Sequence, residues 1–205
     1  MSAVSQPDFD ARAATWDEDP AKRARAESVA AVLRRRVDLS RRPRALEFGA
    51  GTGLLSFELV DELGSALLVD TSEGMLAVAD AKIAKAGAAH LATRRIDLVS
   101  EDLGESGFDL VYSMMTLHHV PDTHAILRKL RGLLAPGGAL AIADLDAEDG
   151  SFHGAGVDVH HGFDRAELGA DLTTAGFRDI TFDTCFELTR ADRVYPVFLV
   201  TARAA

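Results

Sequence analysis

The sequence has little cysteine and no long apolar run, and each of these absences excludes a class of protein. Its single cysteine, Cys185, can form neither an internal disulfide nor a cysteine-rich metal site, which favours a reducing compartment. No stretch approaches the roughly 20 apolar residues that a membrane span needs, and residues 1–20 lack the apolar core of a secretory signal. We therefore expect a cytoplasmic protein that does not enter a membrane.

Positive charge is also in deficit. The chain has 22 Lys and Arg against 32 Asp and Glu, a formal net charge of −10, and such a surface repels phosphate backbones. No nucleic-acid partner is therefore expected.

The 205 residues of the chain, 47% of them hydrophobic, suffice for one well-packed core. We predict a single domain over 1–205, with an N-terminal lid and helix over 1–37 and a core over 44–205, and leave open a homodimer.

Apolar runs alternate with helical patterns and glycine turns in the manner of a parallel α/β sheet. Strands are predicted at 44–48, 66–70, 91–98, 108–113 and 139–143. Helices are predicted from Pro20 to near Val37, from Leu54 onward, over 72–86, over 123–134 and over 164–175. Two final strands, 180–188 and 195–202, are separated by only six residues, so we expect them to pair antiparallel.

The strongest chemical signal is the run Glu47-Phe-Gly-Ala-Gly-Thr-Gly53 between the first strand and its helix, followed by Asp70 at the end of the second strand. Glycines let the backbone turn sharply and approach a ligand closely, while an acidic side chain at this position can accept hydrogen bonds from a ribose diol. A dinucleotide loop would need glycine where Leu54 stands. The pattern therefore predicts an adenosine ligand without a pyrophosphate.

The chain resembles the class I S-adenosylmethionine-dependent methyltransferases from Phe9 to about Ala202. The matching segments are Glu47–Gly53, Leu68–Asp70 with Ser72–Met75, Phe108–Ser113 with Leu117–His119, Leu134–Gly138, and Ala175–Phe177. The resemblance implies a Rossmann-like α/β fold with a seven-stranded sheet of order 3-2-1-4-5-7-6, strand 7 antiparallel, helices on both faces, and an N-terminal helical lid. It also implies S-adenosylmethionine as the cofactor and in-line transfer of its methyl group to a small-molecule acceptor.

The resemblance also assigns the cofactor-binding residues. By it, Glu47, Gly49, Gly51 and Gly53 line the methionine and ribose, Asp70 holds the ribose hydroxyls, Met75 contacts the adenine, and Asp97 faces the adenine amino group. For Asp97 a plain surface aspartate is the alternative, because the residues around it depart from the family pattern.

Candidate acceptor residues follow strands 4 and 5 or precede the first helix. His118 and His119 are the candidate catalytic residues, because a histidine can accept a proton from a hydroxyl, thiol or amine. Trp16, with Phe9, resembles an aromatic lid, although packing against the sheet edge would explain it equally well. Candidate acceptor-binding residues are Trp16, Asp144, His153, His160 and His161. The histidines and carboxylates after strand 5 could alternatively coordinate a divalent metal, but solvated loop residues are favoured because their spacing matches no established ligand pattern, so no metal is predicted.

Other functions remain as alternatives. A nicotinamide-dependent oxidoreductase is disfavoured by Leu54 and by the lack of a Tyr-x-x-x-Lys pair after the fourth strand. A base methyltransferase would need a motif such as Asn-Pro-Pro-Tyr where the chain has Ser113-Met-Met-Thr116. A protein side-chain methyltransferase and a non-catalytic S-adenosylmethionine-binding subunit stay open.

Overall fold

A computed structural model describes residues 9–153 and 157–205, so residues 1–8 of the predicted lid lie outside the described residues. The strands are β1 (Arg44–Phe48), β2 (Ser65–Asp70), β3 (Leu91–Arg95), β4 (Phe108–Met114), β5 (Leu134–Leu145), β6 (Phe177–Arg190) and β7 (Arg193–Ala204). The α-helices are α1 (Phe9–Arg12), α2 (Pro20–Arg36), α3 (Leu54–Glu58), α4 (Glu73–Ala86), α5 (Thr123–Leu133) and α6 (Arg165–Thr174). Short 3-10 helices cover Ala13–Glu18, Val60–Glu62 and Leu117–His119. Within the described ranges, no helix has both the length and the apolar character to cross a membrane.

The seven strands form one sheet in the order β3-β2-β1-β4-β5-β7-β6. All neighbours pair in parallel except β7, which runs antiparallel to both β5 and β6. The predicted strand order and the antiparallel last pair are therefore confirmed.

Helices cover the central strands on both faces, and successive strand residues point to opposite sides. In β1, Ala45 packs in the core with α2, α3 and α4, whereas Leu46 packs in a second core with α5 and α6.

Hydrogen bonds to capping side chains fix where two of these helices, α2 and α4, begin. The Asp19 side chain accepts a hydrogen bond from the N–H of Ala21 at 2.9 Å, and Ser72 accepts one from the N–H of Met75 at 3.1 Å.

Several predicted boundaries are wrong, each for a local reason. The third strand ends at Arg95 rather than at residue 98, because Asp97 turns the chain by accepting a hydrogen bond from the N–H of Val99 at 2.9 Å. The fifth strand begins at Leu134, before the Pro-Gly-Gly run, and resumes regular pairing with β4 at Ala139 after a bulge.

The predicted six-residue connection between the last strands is instead a two-residue turn. Ala191 and Asp192 have φ values of 47° and 62°, the left-handed pair that matches the twist of a tight hairpin. The polar residues on either side extend β6 and β7, because exposed residues at the sheet edge can pair without being apolar.

Candidate active site

A cavity of about 390 Å³ opens at the carboxyl ends of β1, β2 and β4, where parallel strands of this topology present their loops to a ligand. Of the residues predicted from sequence, it is lined by Trp16, Glu47, Gly49, Gly51, Asp70, Met75, Asp97 and His119. The folding of the chain thus collects predicted residues from positions 16 to 119 around one space.

The glycine loop closes one side of this cavity, and its backbone requires glycine. Gly49, Gly51 and Gly53 have φ values of 66°, 54° and 75°, in the left-handed region that other residues rarely adopt. A Cβ atom on Gly49 would lie 2.2 Å from Thr116 Cγ2, whereas one on Gly51 would meet no atom within 4 Å. Gly49 is therefore needed for packing, and Gly51 keeps its backbone open to a ligand.

Asp70 both faces the cavity and holds the glycine loop. Its Oδ2 accepts a hydrogen bond from the N–H of Gly51 at 2.7 Å, and its Oδ1 accepts one from the N–H of Ser72 at 2.9 Å. Each carboxylate oxygen has a second lone pair, so both remain able to accept a hydroxyl. Burial raises the pKa of Asp70 above its ordinary value, against these hydrogen bonds.

Glu47 lies deeper, only 2% exposed at the end of β1. The Ser56 hydroxyl donates to its Oε2, and the same hydroxyl lies 2.5 Å from the Tyr112 hydroxyl. Burial raises the pKa of Glu47 to about 8. Without a ligand this side chain is therefore mostly protonated at neutral pH, and a bound cation would favour its ionised form.

Met75 and Asp97 lie on the wall expected to face the adenine. Met75 is 1% exposed and is positioned by the first turn of α4. The Asp97 carboxylate accepts hydrogen bonds from the N–H of Val99 at 2.9 Å and from the Ser100 hydroxyl at 2.7 Å. It therefore shapes the turn that lines the cavity, and its contact with an adenine stays a prediction.

The aromatic residues of the N-terminal segment cover the cavity. Phe9 and Trp16 both line it, with their ring centroids 5.9 Å apart in an edge-to-face arrangement. Phe9 also meets the ring of His119, at 5.6 Å, while the Lys22 ammonium lies 3.9 Å from the Trp16 ring centroid. The segment thus lines the cavity where the sequence predicts a lid, and its closure over a ligand stays a prediction.

Two aspartates, one after each aromatic residue, fasten this lid. Asp10 accepts a hydrogen bond from the Ser72 hydroxyl at 2.6 Å. Asp17 accepts one from the Thr52 hydroxyl at 2.5 Å and pairs with the Lys82 ammonium at 2.8 Å. Sequence reasoning assigned these aspartates no role, although their position directly after each aromatic was a visible signal.

Arg25 is a further cavity residue that sequence reasoning missed. It lines the cavity from α2 while only 8% exposed, and its Nε is buried with no hydrogen-bond partner among the described residues. Burial lowers the pKa of its guanidinium, which still titrates far above neutral pH. The sequence signal for its burial was helical spacing, because Arg25 falls four and eight residues before Val29 and Leu33, which are both buried. A buried cation with a free donor can hold an anionic group.

The two candidate catalytic histidines differ in access. His118 is 2% exposed, and its Nδ1 lies 2.7 Å from Asp144 Oδ1. His119 lines the cavity, and burial, followed by its neighbour His118, lowers its pKa to about 4. At neutral pH His119 is therefore an uncharged hydrogen-bonding group at the lid end of the cavity.

The remaining candidate acceptor residues divide into two groups. His153 packs against the rings of His118 and His119, with centroids 4.8 and 5.8 Å away, and Asp144 is fully buried behind His118. His160 and His161 are not among the lining residues of the cavity.

Backbone contacts explain the position of these last two. The N–H of His160 donates to the His118 carbonyl at 2.8 Å, and the His161 carbonyl accepts from the N–H of Glu148 at 2.8 Å. Both residues thus brace the loop, and contact of their side chains with an acceptor stays a prediction.

The sequence matches the family model described as "Methyltransferase domain" over residues 46–140. An uncharacterized methyltransferase of Mycobacterium tuberculosis is 36% identical over 97 residues, which are 47% of this chain and 48% of that protein. The chain spans about half the length of the curated relatives it matches first.

Solved structures share the fold at lower identity. A putative methyltransferase of Haloferax volcanii, in complex with the Trm112 methyltransferase activator, has a TM-score of 0.78 and 19% identity over 98% of this chain and 99% of that one. Phosphoethanolamine N-methyltransferase 2 of Haemonchus contortus, in complex with S-adenosyl-L-methionine, has a TM-score of 0.74 and 19% identity over 86% of this chain and 52% of that one.

Proposed function

We propose that this chain is a class I S-adenosylmethionine-dependent methyltransferase that methylates a small-molecule acceptor within a single domain. One observation carries the proposal: Glu47, Gly49, Gly51 and Asp70 line the same cavity, whereas Gly53, also predicted from the sequence, is not among its lining residues. The Nε of Arg25, which has no hydrogen-bond partner among the described residues, and the open side of Gly51 fit the same ligand.

Each cofactor group meets a complementary residue in this proposal. Glu47 binds the methionine ammonium group, Arg25 binds its carboxylate, and Asp70 accepts hydrogen bonds from the ribose hydroxyls. The bound cofactor supplies a methyl group on a positively charged sulfur. The protein contributes alignment of the two reactants and exclusion of water, which are the main sources of rate in such a displacement.

The end of the cavity lined by Phe9, Trp16 and His119, which we call the acceptor end, favours a small molecule. Phe9 and Trp16 line it, and the hydrogen bonds of Asp10 and Asp17 hold their segment in place, so two aromatic rings border the space where a small acceptor would bind. An electron pair of the acceptor forms the new bond to carbon as the carbon–sulfur bond breaks, and the acceptor proton passes to water. With a pKa of about 4, His119 is a weak base. We assign it to orienting the acceptor by a hydrogen bond.

The proposal is tested by a thermal-shift titration with S-adenosylhomocysteine, S-adenosylmethionine, NADH and NADPH. A ligand that binds only the folded state raises apparent stability by about 2.7 kcal/mol at a hundred times its dissociation constant. We expect a shift with the two adenosyl-sulfur compounds alone. A shift with a nicotinamide nucleotide, or with none of the four, would overturn the proposal.

Arg25→Gln should weaken S-adenosylhomocysteine binding about tenfold, the loss of roughly 1.4 kcal/mol from one charge-assisted hydrogen bond. Binding of 5′-methylthioadenosine should not change, because this compound lacks the amino-acid end. Isothermal titration calorimetry measures both affinities. Arg35→Gln, on the exposed side of the same helix, is the matched control. Equal losses for the two compounds would show that Arg25 acts through packing and binds no carboxylate.

A second candidate function, methylation of protein side chains, stays open, because the Haloferax volcanii complex that shares this fold pairs a methyltransferase with an activator protein. An acceptor screen with labelled S-adenosylmethionine separates the two. Transfer to hydroxyl, amine or thiol compounds below peptide size supports a small-molecule enzyme, whereas transfer only to protein substrates supports the second candidate.

A further inference from the structure

Three histidine side chains form a cluster beside the cavity, and one of them, His119, lines it. His118 and His119 come from the 3-10 helix after β4, and His153 comes from the segment after β5. Their ring centroids are 4.1, 4.8 and 5.8 Å apart, and one ring nitrogen from each lies within 4.8 Å of those of the other two. The proposed methyl transfer uses only His119 of the three, so it does not explain the cluster.

One of the three rings is held in a fixed orientation by a buried carboxylate. Asp144 Oδ1 lies 2.7 Å from His118 Nδ1, and its Oδ2 accepts a hydrogen bond from the N–H of His118 at 3.1 Å. With Nδ1 donating to the carboxylate, Nε2 keeps its lone pair. This is how proteins prepare a histidine to bind a metal ion, because the carboxylate fixes the tautomer and makes the free nitrogen a better donor.

Each of the other two rings has a nitrogen atom that no described residue satisfies. Nδ1 of His119 and Nδ1 of His153 are buried and have no hydrogen-bond partner among the described residues. Glu148, five residues before His153 in the same segment, likewise keeps one buried carboxylate oxygen without a partner. Burying a polar atom without a partner is unfavourable, so a cluster of such atoms points to a site that binds a ligand.

We infer that His118, His119 and His153 bind one divalent transition-metal ion, with Asp144 as the residue that positions His118. Imidazole nitrogen suits zinc, cobalt, nickel, copper and iron, and not the oxygen-seeking magnesium or calcium. Zinc–nitrogen bonds of about 2.0–2.1 Å would place the nitrogens roughly 3.4 Å apart, so modest side-chain rotation closes the site. The expectation from sequence that the chain binds no metal is revised here, because the three ligands come together only in the fold.

Three histidines leave a coordination position open, as in catalytic rather than structural zinc sites. His119 lines the cavity and contacts the lid through Phe9, so an ion held by the three histidines would lie next to the cavity. The ion would bind an acceptor through an oxygen, nitrogen or sulfur donor atom. This role rests on the proposed methyl transfer, whereas binding of the ion does not.

Titration of the chelator-treated protein with Co²⁺ and with Zn²⁺ tests the inference. Calorimetry gives affinity and stoichiometry, and the visible absorption of bound Co²⁺ reports nitrogen ligands. We expect one ion per chain, at least tenfold weaker binding in His153→Ala, and about 10- to 100-fold weaker binding in Asp144→Asn. His124→Ala is the matched control, because His124 is 59% exposed on α5 and should leave metal binding unchanged.

No bound ion in the wild type, or wild-type affinity in His153→Ala, would overturn the metal site. Titration of each variant with S-adenosylhomocysteine shows that its cofactor cavity is still folded, so a loss of metal binding cannot be mistaken for unfolding. The same titration separates the two proposals. Cofactor binding without metal binding removes only the metal site, and metal binding without cofactor binding removes only the methyl-transfer proposal.

Discussion

Asp70→Ala should weaken S-adenosylhomocysteine binding by about 1–3 kcal/mol, a loss of roughly 5- to 150-fold. In the proposed complex the carboxylate accepts hydrogen bonds from the ribose hydroxyls while also holding the N–H groups of Gly51 and Ser72. The variant loses both sets of hydrogen bonds, those to the ribose and those to the backbone. Isothermal titration calorimetry measures the affinity, and Asp80→Ala, an exposed aspartate on α4, is the matched control that should leave it unchanged.

The two roles of Asp70 can be separated by changing the ligand as well as the protein. An analogue without the ribose hydroxyls should bind more weakly than S-adenosylhomocysteine to the wild type. Asp70→Ala should bind the analogue and S-adenosylhomocysteine about equally well, because the interaction removed from the ligand is already absent in the variant. If the variant still discriminates between the two ligands as the wild type does, Asp70 only supports the loop and the ribose assignment is wrong.

Features set by local sequence were predicted well. The glycine loop, the strand that ends at Asp70 and the helix capped by Ser72 are each encoded within about 25 consecutive residues, where backbone freedom, capping and apolar patterns determine the result. The order of the strands followed once the family resemblance was clear. Boundaries were wrong where a side chain intervened, as at Asp97, or where a hairpin extended into polar residues, as at Ala191.

The features that were missed depend on contacts between distant parts of the chain. Arg25 reaches the cavity only because α2 packs beside the sheet, and a charged residue on a helix is usually solvent-exposed. The cluster that adds His153 to His118 requires two loops 35 positions apart to meet at the ends of neighbouring strands. Spacing along the sequence carries no signal for such a meeting. Unsatisfied buried atoms reveal it only in the folded structure.

Glu47→Gln should have its largest effect on the pH dependence of cofactor binding. In the free protein the pKa of Glu47 is about 8, because the side chain is buried. An ammonium group binds the carboxylate and not the protonated acid, so below pH 8 binding must release a proton. The wild-type affinity for S-adenosylhomocysteine should therefore rise with pH, by up to tenfold per unit between about pH 6 and 8. The isosteric amide cannot ionise, and the affinity of the variant should stay level over this range.

At pH 8 the variant should bind about 10- to 150-fold more weakly than the wild type, the loss of roughly 1.5–3 kcal/mol from a hydrogen bond between charged groups. In the free protein a rise in pH has the opposite effect, because it lowers the stability of the folded wild type. A folded-state pKa raised above the ordinary 4.5 means that the wild type loses stability as pH rises through about 8, and Glu47→Gln should not show this loss.

Calorimetric titrations at several pH values and thermal melts of the free protein measure both effects. Glu58→Gln, an exposed glutamate on α3, is the matched control. 5′-Methylthioadenosine, which lacks the ammonium group, should bind the wild type with no such dependence on pH. A level wild-type profile for S-adenosylhomocysteine, or the same slope in Glu47→Gln, would show that Glu47 does not bind the methionine ammonium. The buried carboxyl would then serve only its hydrogen bond with Ser56.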